Sequence, residues 1–190
     1  MKYPVFSWFV LLFLLLSSTL HADGGADGVR VVIEQVEDGD TVVARIDGKA
    51  ERLQLIGIDA PEDTDNAKLQ RDQKVTGLSA ERLLVMGAQA SQHLRSLLPV
   101  GTAVLLTGNL KQRDRYGRIP VVLHADGGGS INEAMVADGY AVVLGRYPLD
   151  AKLKARLQAL ESVAIAGNKG LWAAEYRHST AAWSGKTFSP

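Results

Sequence analysis

The sequence predicts a mainly β protein with helices, a small closed or half-closed barrel with helices against its ends. Three observations carry this. Alternating apolar and polar residues, broken by turn glycines, fill the stretch from Val29 to Leu55. A helical period takes over from Ala80. Two more strands and two more helical segments follow, so the order is not the regular strand–helix alternation of a doubly wound sheet.

Length and composition frame this reading. At 190 residues the chain fits one ordinary domain. With no Cys it has no disulfide, thiolate metal site or cysteine nucleophile. Lys plus Arg equals Asp plus Glu at 21 each, which excludes a polycationic nucleic-acid wrapper but allows a local basic patch.

Residues 1–22 have signal-peptide anatomy: Lys2, an apolar run from Val5 to Leu16 broken only by Ser7, then Ser17, Ser18, Thr19 and a small Ala22. The run is shorter than the ~17–25 apolar residues of a membrane span. Leu20 stands where a small residue usually precedes the cut, and an uncleaved anchor is the other reading. Cleavage implies export, periplasmic or secreted, with no stable membrane association afterwards. It removes Lys2 alone among the charged residues and leaves a net charge of −1.

The elements follow in order. Residues 23–28 are a flexible lead-in. Val29, Val31 and Ile33 share one strand face, Val42, Ala44 and Ile46 a second, and Leu53 and Leu55 a third. Gly39 and Asp47-Gly48 are the turns. Residues 59–79 are polar and read as a loop. Leu83, Ala90, Leu94, Leu97 and Leu98 form a helical stripe that Pro99 and Gly101 end. Val104–Leu106 and Ile119–Leu123 read as strands. Ser130 and Glu133 form a capping box for a helix over Ile131–Ala137. Tyr140–Leu144 is a short apolar segment, and Leu149, Leu153, Leu157 and Leu160 mark a helix running to Gly167. Trp172 reads as a core residue. The tail, 173–190, is weakly patterned and expected to be loosely packed, with Trp183 packing back on the domain or stacking on a base.

Three stretches carry chemistry: Asp38-Gly39-Asp40-Thr41, Ile58-Asp59-Ala60-Pro61-Glu62 and Arg113-Asp114-Arg115-Tyr116-Gly117-Arg118. Asp40 and Asp59 sit at a turn and a strand end, where a rigid sheet can hold carboxylates together. With a backbone carbonyl and waters they offer a hard oxygen set suited to Ca²⁺ or Mg²⁺. The same residues also read as a hairpin turn and an acidic loop. Lys111, Arg113, Arg115 and Arg118 cluster on a polar arm, and guanidinium groups grip phosphates with a fixed fork of donors. A solvated hairpin tip is the plainer reading of that arm. Phosphodiester hydrolysis needs a cation, a carboxylate that handles water and a guanidinium on the developing charge. No HxH or HExxH pattern supports a zinc hydrolase.

These motifs, with GAQASQHLRSLL at 87–98, RDRYGRIPVVLH at 113–124, INEAMVADGYAVV at 131–143 and GNKGLW at 167–172, resemble the thermonuclease, or staphylococcal nuclease-like, family. The resemblance spans roughly 29–172. It implies an OB-fold five-stranded barrel with three α-helices, one Ca²⁺ rather than Mg²⁺, DNA and/or RNA as substrate, and a monomer. It implies Asp40, Asp59 and the Ala60 carbonyl as metal ligands with Asp38 a nearby carboxylate. It implies Glu62 as the residue that deprotonates or positions water, Arg118 as the phosphate arginine, and Tyr116 and Tyr147 at the nucleotide pocket; Arg113 and Arg115 of the basic arm and Gln54 are expected on the substrate beside them. One position departs: Gln54 stands where the family has Arg. Arg52 shares the strand face of Gln54 and is expected to stand in for it. The alternative is a weakened or inactive OB-fold module that binds single strands by a basic groove and aromatic platforms. The 63–86 segment is longer than the family's and reads as surface decoration, with a cover over the substrate groove as the other reading.

Overall fold

The computed structural model describes residues 28–145 and 147–187. The signal-like segment 1–22 and all but Gly28 of the lead-in lie outside them.

Strands β1 (Val29–Val36), β2 (Thr41–Ile46) and β3 (Lys49–Leu55) form the expected antiparallel meander. Their inward residues are those the alternation picks out: Val31 and Ile33, Val42, Ala44 and Ile46, then Leu53 and Leu55. The step from Ile33 to the next buried residue, Val36, is odd-numbered because β1 carries a bulge between Ile33 and Gln35. After the short β4 (Ile58–Asp59), strands β5 (Ala103–Thr107) and β6 (Ile119–His124) complete a closed barrel of order β1-β2-β3-β6-β5. The β3–β6 pairing is parallel, so this five-stranded barrel is mixed, consistent with an OB fold. The apolar segment at 140–144 supplies only β7 (Val142–Val143), which pairs with β4 outside the barrel.

The described residues hold five α-helices, which corrects the expected three: α1 (Ala67–Thr76), α2 (Ala80–Leu97), α3 (Ile131–Ala137), α4 (Ala151–Ala166) and α5 (Arg177–Ser184). Helix α1 replaces the loop expected over 59–79. Only Leu69 of it is buried, so it has no apolar stripe to read. Its ends hold it instead: the Asn66 side chain accepts from the Lys68 and Leu69 amides, and Gly77 closes it at φ 72. In the tail, α5 is tied down. Thr180 is fully buried and donates to the Leu171 carbonyl at 2.6 Å. Arg82 of α2 donates to Ser179 Oγ at 2.9 Å and to the Glu175 carbonyl. Trp183 packs with Val142, Ala164 and the fully buried Trp172, and its indole donates to Asp72 Oδ2 of α1 at 3.0 Å.

Helix α3 is fixed to the barrel by a polar side chain. Asn132 is fully buried. Its amide donates to the Ile56 and Val121 carbonyls at 3.1 and 3.2 Å, and its oxygen accepts from the Leu123 amide at 3.2 Å. Asn132→Ala takes this partner from the Leu123 amide and the Ile56 carbonyl, whereas the Val121 carbonyl keeps the Ile56 amide at 2.8 Å. The expected loss of stability is about 2–3 kcal/mol, read by urea unfolding.

Candidate active site

The barrel end formed by the β1–β2 turn, β4 and the arm before β6 borders one open cavity of about 770 Å³. Gly39, in that turn, lets three segments meet: a Cβ there would lie 2.6 Å from the Ala60 methyl and 2.7 Å from that of Ala90 on α2. The Asp38 side chain accepts from the Asp40 amide at 2.9 Å, which shapes the turn.

Asp40 is buried and ties the two acidic motifs together. Its Oδ2 accepts from the Ala60 amide at 3.2 Å, and its Oδ1 accepts from Thr41 Oγ1 at 3.0 Å. Thr41 Oγ1 in turn accepts from Arg118 Nη1 at 2.9 Å, which lies 3.7 Å from Asp40 Oδ1. Asp114 holds the other side of Arg118. It accepts from Arg118 Nε and from the Arg118 and Tyr116 amides at 2.8–2.9 Å. Burial raises the Asp114 pKa, but these donors outweigh it and the net shift is downward. The guanidinium also lies 5.2 Å from the centre of the Tyr116 ring.

Across the cavity, Asp59, Ala60 and Glu62 converge on a residue that the sequence reading passed over. Lys68 Nζ lies 2.9 Å from the Ala60 carbonyl, 2.9 Å from Glu62 Oε1 and 3.2 Å from Asp59 Oδ1. Glu62 Oε2 accepts from Asn66 Nδ2 at 2.6 Å. Burial disfavours the Lys68 charge, yet Asp59, Glu62 and Asp40 outweigh it and hold the ammonium firmly protonated. Thus α1 borders the site, with Thr64, Asn66, Ala67, Lys68 and Arg71 on the cavity wall. This corrects the reading of surface decoration for residues 63–71, which lie at the groove as the other reading has it. The available signal was Asn66, a capping residue two positions before Lys68.

The remaining predicted residues divide. Gln54, Arg52, Arg115, Tyr116 and Tyr147 line the cavity. Arg113 does not; its guanidinium pairs with Glu51 at 3.2 Å. Gln54 lies opposite Thr41 in the β2–β3 register, and its Oε1 is buried without a partner. Arg52, opposite Val43, is one pleat further from the turn and grips both oxygens of Glu37.

As a metal site the donor set is hard oxygen: the carboxylates of Asp40 and Asp59 and the Ala60 carbonyl. The latter two already converge on one cationic nitrogen, so the residues fit a divalent cation in chemistry and direction. Among the described residues no three His, Cys, Asp or Glu side chains are gathered closely enough to hold a metal by themselves. Waters would have to complete the shell.

The acids repel one another. Burial, then Asp40, pushes the Asp38 carboxyl up to about 8. Burial also lifts Asp59, to about 6, with Lys68 pulling the other way. An acid whose folded pKa is raised stabilises the fold while protonated, and that contribution is lost as pH rises through the folded value. Metal-free protein is therefore expected to lose stability from about pH 4 to about pH 8 through Asp38. Asp38→Asn keeps the oxygen that accepts from the Asp40 amide and removes this dependence. Its thermal midpoint in EDTA should match wild type near pH 4 and exceed it near pH 8.

The sequence profile of the staphylococcal nuclease homologue family matches residues 52–174. The chain belongs to this family. It is 31% identical over 163 residues to an uncharacterized endonuclease of Escherichia coli, covering 86% of each chain. It is 27% identical to endonuclease YhcR of Bacillus subtilis over 80% of its own length but only 12% of that larger protein. Endonuclease YncB of the same organism is 24% identical over 82% of this chain and 67% of its own. The family match begins within β3 and ends before α5.

Proposed function

We propose that this family member is an exported, Ca²⁺-dependent endonuclease that hydrolyses phosphodiester bonds of DNA and/or RNA as a monomer. The observation that carries the reading is one open cavity lined by Asp40, Asp59, Glu62 and Arg118, with the Ala60 carbonyl joined to it through Lys68 of the wall. Relatives named endonucleases support it. Export rests on residues 1–22, and the domain limits of 29–172 on the motifs alone.

In this reading Asp40, Asp59 and the Ala60 carbonyl hold the metal, with Asp38 beside them. When bound, Ca²⁺ would offset substrate charge and polarise the phosphate. Glu62 orients or deprotonates the attacking water. Arg118 binds the phosphate and offsets the charge that grows on it, a fixed donor that needs no reorganisation as the reaction proceeds. Asp114 and Thr41 hold its guanidinium in place. Tyr116, Tyr147 and Arg115 line the path of the nucleotide chain, and Arg52 supplies the second guanidinium that Gln54 does not.

A weakened or inactive binding module is the second reading, and Gln54 is the observation that favours it. Hydrolysis of heat-denatured DNA and of RNA by the purified protein, with Ca²⁺, Mg²⁺ or EDTA and beside Asp59→Asn, separates the two. Activity that requires Ca²⁺ and vanishes in Asp59→Asn supports the enzyme. Folded protein that binds DNA without cutting it supports the module.

A further inference from the structure

Lys68 is a cation in the cavity wall that the proposed chemistry does not use. An ammonium has three donors, and here they meet three oxygens: the Ala60 carbonyl, Glu62 Oε1 and Asp59 Oδ1, all within 3.2 Å. Two of these belong to the proposed metal ligands, and the third to the residue assigned to water. The ammonium therefore takes up the oxygens that a divalent cation would need. Two cations cannot share them at such distances in a partly buried site, because like charges there repel strongly.

The neighbouring residues offer the same side chain a second seat. Asp72 lies one helical turn along α1, with Oδ2 3.9 Å from Nζ. The Trp183 indole N–H fixes that oxygen at 3.0 Å, and the Trp183 ring centre is 5.6 Å from Nζ. A carboxylate beside an aromatic face is a favourable resting place for an ammonium. The four-carbon stem of lysine lets the charge move between the two seats while α1 stays in place.

We propose that Lys68 is a resident cation that competes with the divalent metal for Asp59 and the Ala60 carbonyl, lowering the metal affinity of the site and withdrawing toward Asp72 and Trp183 when metal binds. The inference rests on the metal-dependent reading above. It makes the polar segment between the acidic motif and α2 a device that sets the metal concentration at which the site fills.

Isothermal titration of Ca²⁺ into the wild-type protein, Lys68→Gln, Lys68→Met and Asp59→Asn tests it without reference to activity. Both lysine variants are expected to bind Ca²⁺ at least tenfold more tightly than wild type, and Asp59→Asn more weakly. Equal or weaker binding by folded lysine variants, with wild type still binding, overturns the role of Lys68 alone. No binding by any folded protein overturns the metal reading and this inference with it. Lysine acylation footprinting of the wild-type protein by mass spectrometry gives a second readout that needs no variant. Modification of Lys68 is expected to rise severalfold on adding Ca²⁺. An unchanged or lower yield in protein that binds Ca²⁺ overturns the displacement.

Discussion

Arg118→Ala is expected to lower the rate of the proposed Ca²⁺-dependent DNA hydrolysis by about 10²–10³-fold, the usual cost of removing one preorganised donor to a developing anion. The size follows from how the guanidinium is held. Asp114 fixes Nε, Thr41 Oγ1 fixes Nη1, and Tyr116 lies beside the plane. A group held from three sides loses little freedom when substrate arrives. Arg118→Lys should recover only part of the loss, because an ammonium cannot reproduce the fork that meets Asp114 and Thr41 together. Arg52→Ala is the informative contrast. Arg52 is bound bidentately by Glu37, and its side chain is 48% exposed against 17% for Arg118. To serve the phosphate it must loosen that pair, so its removal should cost less than removal of Arg118. Full activity in Arg52→Ala would end its assignment as the substitute for an arginine at Gln54. Steady-state kinetics on denatured DNA reads all three variants.

What the sequence made legible follows the physics of each element. The barrel was readable because its interior imposes a period of two on β1, β2 and β3, and because glycines mark the turns. Helix α3 was readable to its end residues because Ser130 and Glu133 sign its start and Asp138-Gly139 its end. Helix α1 lacked any periodic signal, since it buries one residue and is held by caps and by the charges around Lys68. Helix α5 was hidden for a related reason: it is eight residues long and is held by contacts distant in sequence, Arg82 to Ser179 and Trp183 to Asp72. Short helices draw their stability from tertiary contacts, which no local pattern encodes. The same gap concealed Lys68. A lysine in a polar stretch reads as solvated, and only the folded chain brings it against Asp59 and Glu62. Arg113 errs in the opposite direction, sharing the basic arm in sequence while its side chain turns to Glu51.

The backbone approach behind Glu62 gives the last large effect. Gly87 lies inside α2, where alanine would ordinarily gain up to about 1 kcal/mol in helix propensity. Here the sign reverses. A Cβ at 87 would lie 2.1 Å from the Glu62 carbonyl oxygen, 2.3 Å from its carbon and 2.6 Å from the Asp63 nitrogen. All three are backbone atoms, so no rotamer change relieves the clash. Helix α2 cannot retreat easily, because Leu83, Met86, Ala90 and Leu94 are buried along it. The strain therefore falls on the loop that carries Glu62. Gly87→Ala is expected to cost about 1–3 kcal/mol in urea unfolding. Folded variant should also lose activity by about 10²-fold, the effect of an ångström-scale misplacement of a reacting group. Gly129→Ala is the matched control, since a Cβ there meets nothing within 4 Å. Wild-type stability in Gly87→Ala would mean that the loop yields freely. Glu62 would then owe its position to Asn66 and Lys68, and not to the helix behind it.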